Sequence, residues 1–190
     1  MRQKLRTEII NYRTVQFTLY PQLRDRINSI SSTLPEEENL LLPSSLISKD
    51  RLAYGLERLA NIEYKIREGR AYDALEGLRK NIQIFNHNLG FKKENVQGQG
   101  PNTRAERYIQ SLTAEKVSAA DQYRMARKGL LALELSPEDE TLQDLRNDQL
   151  WAKDTSHLSK IGDSRREDPW FWMVGRPSGM SEKEEEEWSI

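Results

Sequence analysis

The chain has 190 residues and a formal net charge of −1, which suits one modest domain or two small ones and lacks the global charge of a nucleic-acid binder. Hydrophobic residues make up 36 % and charged residues 31 %, so the core is thin, and extended helices with narrow apolar seams are favoured over a compact globule. Cysteine is absent, which excludes disulfides, thiolate metal sites and a cysteine nucleophile.

From residue 3 to residue 30 the apolar positions Leu5, Ile9, Tyr12, Leu19, Leu23 and Ile27 recur at helical spacing. Pro21 has no N–H to donate, so a break or kink is predicted at Tyr20. "STLPEEENLLLPSSLIS" follows as a loop, with Pro35 and Pro43 flanking an acidic cluster. A second helical stretch starts near Lys49, with Leu52, Leu56, Leu59 and Ile66 on one face. Its phase slips at "REGRAYDAL", where Gly69 marks either a break between two helices or a stutter in one. The pattern resumes at Ala71, Leu75, Leu78, Ile82, Phe85 and Leu89.

The clearest periodicity comes later. Ile109, Leu112, Lys116, Ala119, Tyr123, Ala126, Leu130 and Leu133 alternate steps of three and four, a heptad seam with one charged member. Lys116 in that seam either sets register or extends its amine to water. "LSPEDETLQDL" predicts a further helix, capped by Ser136, opened by Pro137 and ending near Ala152. The remaining chain is irregular and aromatic, then acidic in "SEKEEEEWSI". Three regions are expected: a helical segment and proline-containing loop over 1–47, a helical domain over 48–153, and an irregular tail over 154–190.

The glycine-rich stretch "NVQGQGPNTRAERYIQ" raises the question of a phosphate cradle. A P-loop needs a lysine after its second glycine and a strand before it, and a dinucleotide fingerprint needs a third glycine; neither is present. The turn reading prevails. Gly90 can end one helix, Gly98 and Gly100 form the turn, and Thr103 with Glu106 makes a capping box for the next helix. Helices over about 71–90 and 103–134 then fold back as an antiparallel pair.

Several stretches together resemble a known family. "GRAYDALEGLRKNIQ" and "VQGQGPNTRAERYIQSLTAEKVSAADQYRMARKGLLAL" are similar to the region after the catalytic core of Kyakuja–Dileera–Zisupton (KDZ) transposases, cut-and-paste DNA transposases abundant in mushroom-forming fungi. The shared pattern is the Ala71–Arg79 helix, the Gly98–Arg104 turn, and Tyr123-Arg-x-Ala-Arg127. "LLLPSSL" at 40–46 resembles an upstream segment, and "PWFWMVG" at 169–175 a downstream aromatic one. The family's catalytic unit is similar to the RNase H fold with metal-binding acidic residues. It lies N-terminal to the matching segments, and no stretch here alternates as its strands would. The resemblance therefore implies an accessory helical region without catalysis.

The residues themselves argue for no catalytic site, metal site or cofactor. The 30 acidic residues sit on helix faces, in the 36–38 loop and in the tail, and the two histidines, His87 and His157, are far apart. Basic residues gather near the turn: Arg79, Lys80, Lys92, Lys93, Arg104 and Arg107, with Arg124, Arg127 and Lys128 farther on. They are candidates for sequence-independent contact with DNA phosphates, against the plainer reading of solvated helix flanks. Trp170 and Trp172 either stack on unpaired bases or bury against the helical pair, and a chain poor in large apolar residues favours burial. No segment reaches the length needed to cross a bilayer, and the N-terminus lacks a signal peptide's apolar run. The expectation is an all-α, elongated antiparallel helical hairpin or coiled-coil-like bundle with an irregular tail. It would be intracellular, in nucleus or cytoplasm, with no membrane partner. Its partners would be the DNA backbone, a second copy, or the remainder of a transposase. The competing expectation is a stand-alone coiled-coil interaction protein with no DNA role.

Overall fold

The computed structural model describes residues 2–30, 32, 34–95, 98–151 and 169–175. The expectations that concern His157, Pro177, the acidic run and the rest of the tail lie outside the described residues. Among those described there is no strand, and long helices pack against each other; the fold is all-α. The helices are α1 (Arg2–Leu19), α2 (Arg24–Ile30), α3 (Ser48–Ala53), α4 (Glu57–Asn95) and α5 (Gln99–Ala132). Proline opens the 3-10 turns Pro21–Leu23, Pro35–Glu37 and Pro43–Ser45, where its fixed φ and missing N–H cost nothing. The break predicted at Tyr20 is the first of these.

The chain divides into two compact units, Met1–Arg67 with Gly129–Leu135, and Glu68–Lys128 with Ser136–Ile190. The first is built on an apolar cluster of Leu23, Ile27, Leu41, Leu46 and Leu56, flanked by Phe17, Tyr20, Ile30, Tyr54 and Leu59. Around it, polar side chains that the apolar periodicity does not include are buried. On α1 the buried residues are Arg13 and Gln16, while Leu5 and Leu19 are exposed. Arg13 donates to Gln16 (2.6 Å), to Glu38 (2.6 Å) and to the carbonyls of Asn39 and Leu40; Gln16 donates to the Leu40 and Leu41 carbonyls. The helix faces a loop whose carbonyls have no ladder to join, so fixed donors are worth more there than methyl groups.

Farther along, α3 ends at Ala53, and Gly55, at φ +67°, re-aims the chain into α4. That shift of phase exposes Leu52 and Ile66 and buries Glu63. The Glu63 carboxylate accepts from the Ser44 backbone N–H (2.9 Å), the Ser44 hydroxyl (2.6 Å) and Arg67 Nε (2.7 Å). A Cβ at Gly129 would run into the Arg67 guanidinium, so this glycine gives the ion pair its room. α5 ends in a Schellman turn: Leu135 N–H reaches the Leu130 carbonyl and Glu134 N–H the Leu131 carbonyl, with Glu134 itself at φ +77°.

The second unit contains the antiparallel part of α4 and α5. Lys92 on α4 pairs with Glu106 on α5 at 3.1 Å, and Phe85 lies 4.5 Å beneath the amine of Lys116, so one helix runs down as the other runs up. α4 continues through Gly69 without a break, which resolves the phase slip as a stutter. α5 begins at Gln99, earlier than predicted. Gly98 takes φ +87°, and the Asn102 N–H bonds back to its carbonyl. Thr103 and Glu106 thus lie inside the helix, and Pro101 sits in the first turn, where no N–H is needed.

Residues 136–150 do not form the predicted helix. They are an extended strap with a single 3-10 turn at Asn147–Gln149. The Asp139 carboxylate accepts from the Thr141 and Leu142 N–H groups (3.0 and 2.7 Å). Such a local bond competes with a helical one. Side chains of α5 take the strap's carbonyls, as described next.

Candidate functional site

In the second unit, specific contacts join α4 and α5 to two segments outside the α-helices, the strap and Pro169–Gly175, the latter holding a 3-10 turn at Trp170–Trp172. On α5, Tyr123 is fully buried and its hydroxyl donates to the Gln143 carbonyl at 2.6 Å. One turn along, Arg127 donates to the Leu142 carbonyl (2.8 Å) and the Pro137 carbonyl (3.1 Å). Arg124 donates to the Leu145 carbonyl (3.0 Å) and to Asn147 Oδ1 (2.7 Å). These three belong to the Tyr-Arg-x-Ala-Arg pattern, which spaces them over one face of a helix. Leu142 and Leu145 are buried beside them, so donors hold the backbone while leucines supply the apolar contact.

The second segment is Pro169–Gly175. Phe171 is fully buried, and Pro169 and Val174 are also buried. Arg79 on α4 donates from one nitrogen to the carbonyls of Phe171 (2.9 Å) and Val174 (2.8 Å). Desolvation lowers the Arg79 guanidinium below its usual pKa, yet arginine remains charged at any physiological pH. Trp170 lies tilted against Tyr123 with ring centroids 5.7 Å apart. The indole N–H groups of Trp170 and Trp172 donate to the Asp144 carbonyl (3.3 Å) and the Trp151 carbonyl (3.0 Å). Both tryptophans are part-buried with their polar edges bonded, so in this arrangement neither offers a free face with a free edge. The tryptophans stand out in the sequence, and Phe171, the fully buried ring between them, does not. A lone phenylalanine flanked by two larger aromatics carries no periodic signal.

Of the seam on α5, Leu112, Ala119, Tyr123, Ala126, Leu130 and Leu133 are buried, and Ile109 and Lys116 partly so. Lys116 keeps its charge over the Phe85 ring at 4.5 Å, and burial lowers its pKa. The protonated form is therefore penalised more in the folded chain than in the unfolded one. Wild-type stability should rise as pH climbs toward the ordinary lysine value of 10.5. Lys116→Leu should remove that slope and stabilise the neutral-pH protein by about 1 kcal/mol. The apolar area gained outweighs the roughly 0.5–1 kcal/mol of cation–π attraction lost. Urea denaturation at pH 7 and pH 9.5 measures both.

The basic cluster separates into three groups. Arg79, Arg124 and Arg127 hold backbone carbonyls as above. Lys80 pairs with Glu76 one turn back, and Lys92 with Glu106. Lys93, Arg104 and Arg107 are exposed and have no ion pair among the described residues, and Lys128 is exposed as well. Among the described residues no group of three or more His, Cys, Asp or Glu converges to hold a metal, and no helix is long and apolar enough to cross a membrane. His87 is exposed on α4. An open groove in the first unit, about 290 Å³, is lined by Ile9, Ile10, Phe17 and Arg13 among others. Its guanidinium at Arg13 is already committed to Glu38.

No protein-family model, curated protein or solved structure matches this chain.

Proposed function

We propose that the chain is a non-catalytic helical region of a KDZ-type transposase and serves in assembly, with DNA-backbone contact confined to Lys93, Arg104 and Arg107. One observation carries the reading. Arg79, Tyr123, Arg124 and Arg127 come from two motifs that resemble the family, and all four bind the backbone of segments downstream, one of which is the resembling aromatic stretch at 169–175. Motifs that depend on one another physically have a reason to occur together, and the chemistry they perform is holding chain. A region that holds chain suits a scaffold, not an active site.

Sequence-independent phosphate contact by three cations gives a salt slope of roughly −3 in log K against log salt on duplex DNA. Fluorescence anisotropy with an arbitrary labelled duplex at 50 and 200 mM salt should show that slope. The triple substitution Lys93→Ala, Arg104→Ala, Arg107→Ala should abolish it, while Lys80→Ala, an exposed cation already paired, should not. Absence of binding even at low salt removes the DNA contact. Sequencing of the native transcript tests the kinship: an upstream frame rich in strands with acidic catalytic positions supports it, and its absence counts against it.

A second reading, a coiled-coil interaction module without DNA contact, is favoured by the commitment of Arg79, Arg124 and Arg127 to carbonyls. DNA would have to displace bonds these guanidiniums already make.

A further inference from the structure

Several aromatic rings of this chain are covered. Tyr123 and Phe171 are fully buried, Arg24 lies 5.2 Å over the Phe17 ring, and Lys116 lies over Phe85. Tyr108 on α5 is not covered. It is 51 % exposed, and among the described residues its ring has no aromatic or cationic neighbour and its hydroxyl no hydrogen-bond partner. Arg104 stands four residues before it, and Arg107 stands three after Arg104, so the two guanidiniums share the ring's side of the helix. Both are exposed and unpaired among the described residues. Leu112, four residues after Tyr108, is buried in the seam, so this turn of helix is anchored from beneath. Phe91 on α4 is also exposed, yet the residues three and four places from it, His87, Asn88, Glu94 and Asn95, include no lysine or arginine.

A single exposed apolar residue is ordinary protein surface. An open ring flanked by two unpaired guanidiniums is a narrower chemistry, because it offers a π-face for a base and cations for the phosphates beside that base. In a duplex the bases already stack on one another, so the ring gains nothing there and only the cations act. In a single strand the base is free to stack. We propose that this face of α5 takes single-stranded DNA, with an unpaired base on Tyr108 and the neighbouring phosphates on Arg104 and Arg107. The inference rests on the DNA-contact reading above and narrows it: the cations are the same, and the strand state is what the ring selects. Stacking carries no charge, so it adds affinity without adding to the salt dependence.

The test titrates the full chain against three fluorescein-labelled probes. They are an oligodeoxythymidylate of about 12 nucleotides, within the site size of single-strand binders, an abasic strand of the same length, and an arbitrary duplex. The thymidine strand should bind roughly tenfold more tightly than the abasic strand, the factor given by one stacked base. Tyr108→Ala should remove that factor and leave the abasic strand and the duplex unchanged. The log–log salt slope on the thymidine strand should stay at about −2 in wild type and variant alike, the value that three cations give on a single strand. Tyr108→Phe should bind as wild type does, and Tyr108→Leu as the alanine variant does, because leucine is apolar without a π-face. Failure of all three probes to bind, even at low salt, overturns both the phosphate contact and the stacking. Equal binding of the thymidine and abasic strands, abolished by the triple substitution of Lys93, Arg104 and Arg107, overturns the stacking and leaves the phosphate contact standing. A base preference that survives Tyr108→Ala overturns this ring as the platform, and full rescue by leucine overturns stacking in favour of apolar contact.

Discussion

Arg51→Met should destabilise the protein by about 2–4 kcal/mol, although the substitution keeps the apolar length of the side chain. Arg51 is buried at the end of α3. It donates from Nη1 to the Leu46 carbonyl (2.7 Å) and the Ala132 carbonyl (2.9 Å), and from Nη2 to Glu134 (2.8 Å). The two carbonyls carry the effect. Leu46 ends a 3-10 turn, and Ala132 is the last residue of α5, where four carbonyls lack helical partners. A methionine leaves both acceptors without their donor, at about 1–3 kcal/mol for each group stranded away from water. The carboxylate arm is different. The Glu134 side chain is 68 % exposed, so solvent screens the pair. The Glu134 carboxyl is held below its usual pKa first by a hydrogen bond with Ser48 and then by the charge of Arg51. Glu134→Gln should therefore leave the urea midpoint near wild type. Arg51→Lys should not rescue, because one ammonium cannot span two carbonyls and a carboxylate as a planar fork does. Equal losses for Arg51→Met and Glu134→Gln would show that the ion pair, not the carbonyl contacts, does the holding.

The contrast between those two substitutions also marks where the sequence is legible. The heptad seam from Ile109 to Leu133 is the inner face of α5, because a burial pattern repeated over several turns has one geometric meaning. The break at Pro21 is equally readable, since proline restricts the backbone by itself. The polar core of the first unit was not. Arg13, Gln16, Arg51 and Glu63 look like surface residues in any periodicity count, and they are buried only because loop carbonyls and amides need partners there. The strap departs from its predicted helix for a related reason. "LSPEDETLQDL" carries good local signals for a helix start, but its carbonyls are taken by Tyr123, Arg124 and Arg127 from a helix already formed. Local propensity lost to a tertiary donor array, which no window of sequence contains. The same array takes up Arg124 and Arg127, two of the cations farther from the turn.

Tyr123 is where that array can be tested most sharply. Its ring is fully buried beneath the strap and Trp170, and its hydroxyl lies 2.6 Å from the Gln143 carbonyl. Tyr123→Ala should cost about 3–5 kcal/mol, the usual loss when a buried aromatic is cut to a methyl group and the cavity persists. Tyr123→Phe should cost about 1–2 kcal/mol, for it retains the ring and strands one acceptor. The phenol adds a dependence on pH. Burial, its largest cause, raises the Tyr123 pKa well above the ordinary value of 10.0, partly offset by Arg127. Below pH 10 both folded and unfolded chains carry the proton, and the full contribution is present. Above pH 10 the unfolded chain releases it while the folded chain keeps it, so stability falls as pH rises through that range. Urea midpoints should show no Tyr123-dependent loss between pH 8 and 9 and a decline between pH 10 and 11 for wild type. Tyr123→Phe should flatten most of that decline, leaving a smaller one from Tyr12 and Tyr72, whose phenols are also raised by burial. Parallel alkaline curves for wild type and Tyr123→Phe would mean that the hydroxyl is solvated in the native state, and the strap would then rest on Arg124 and Arg127 alone.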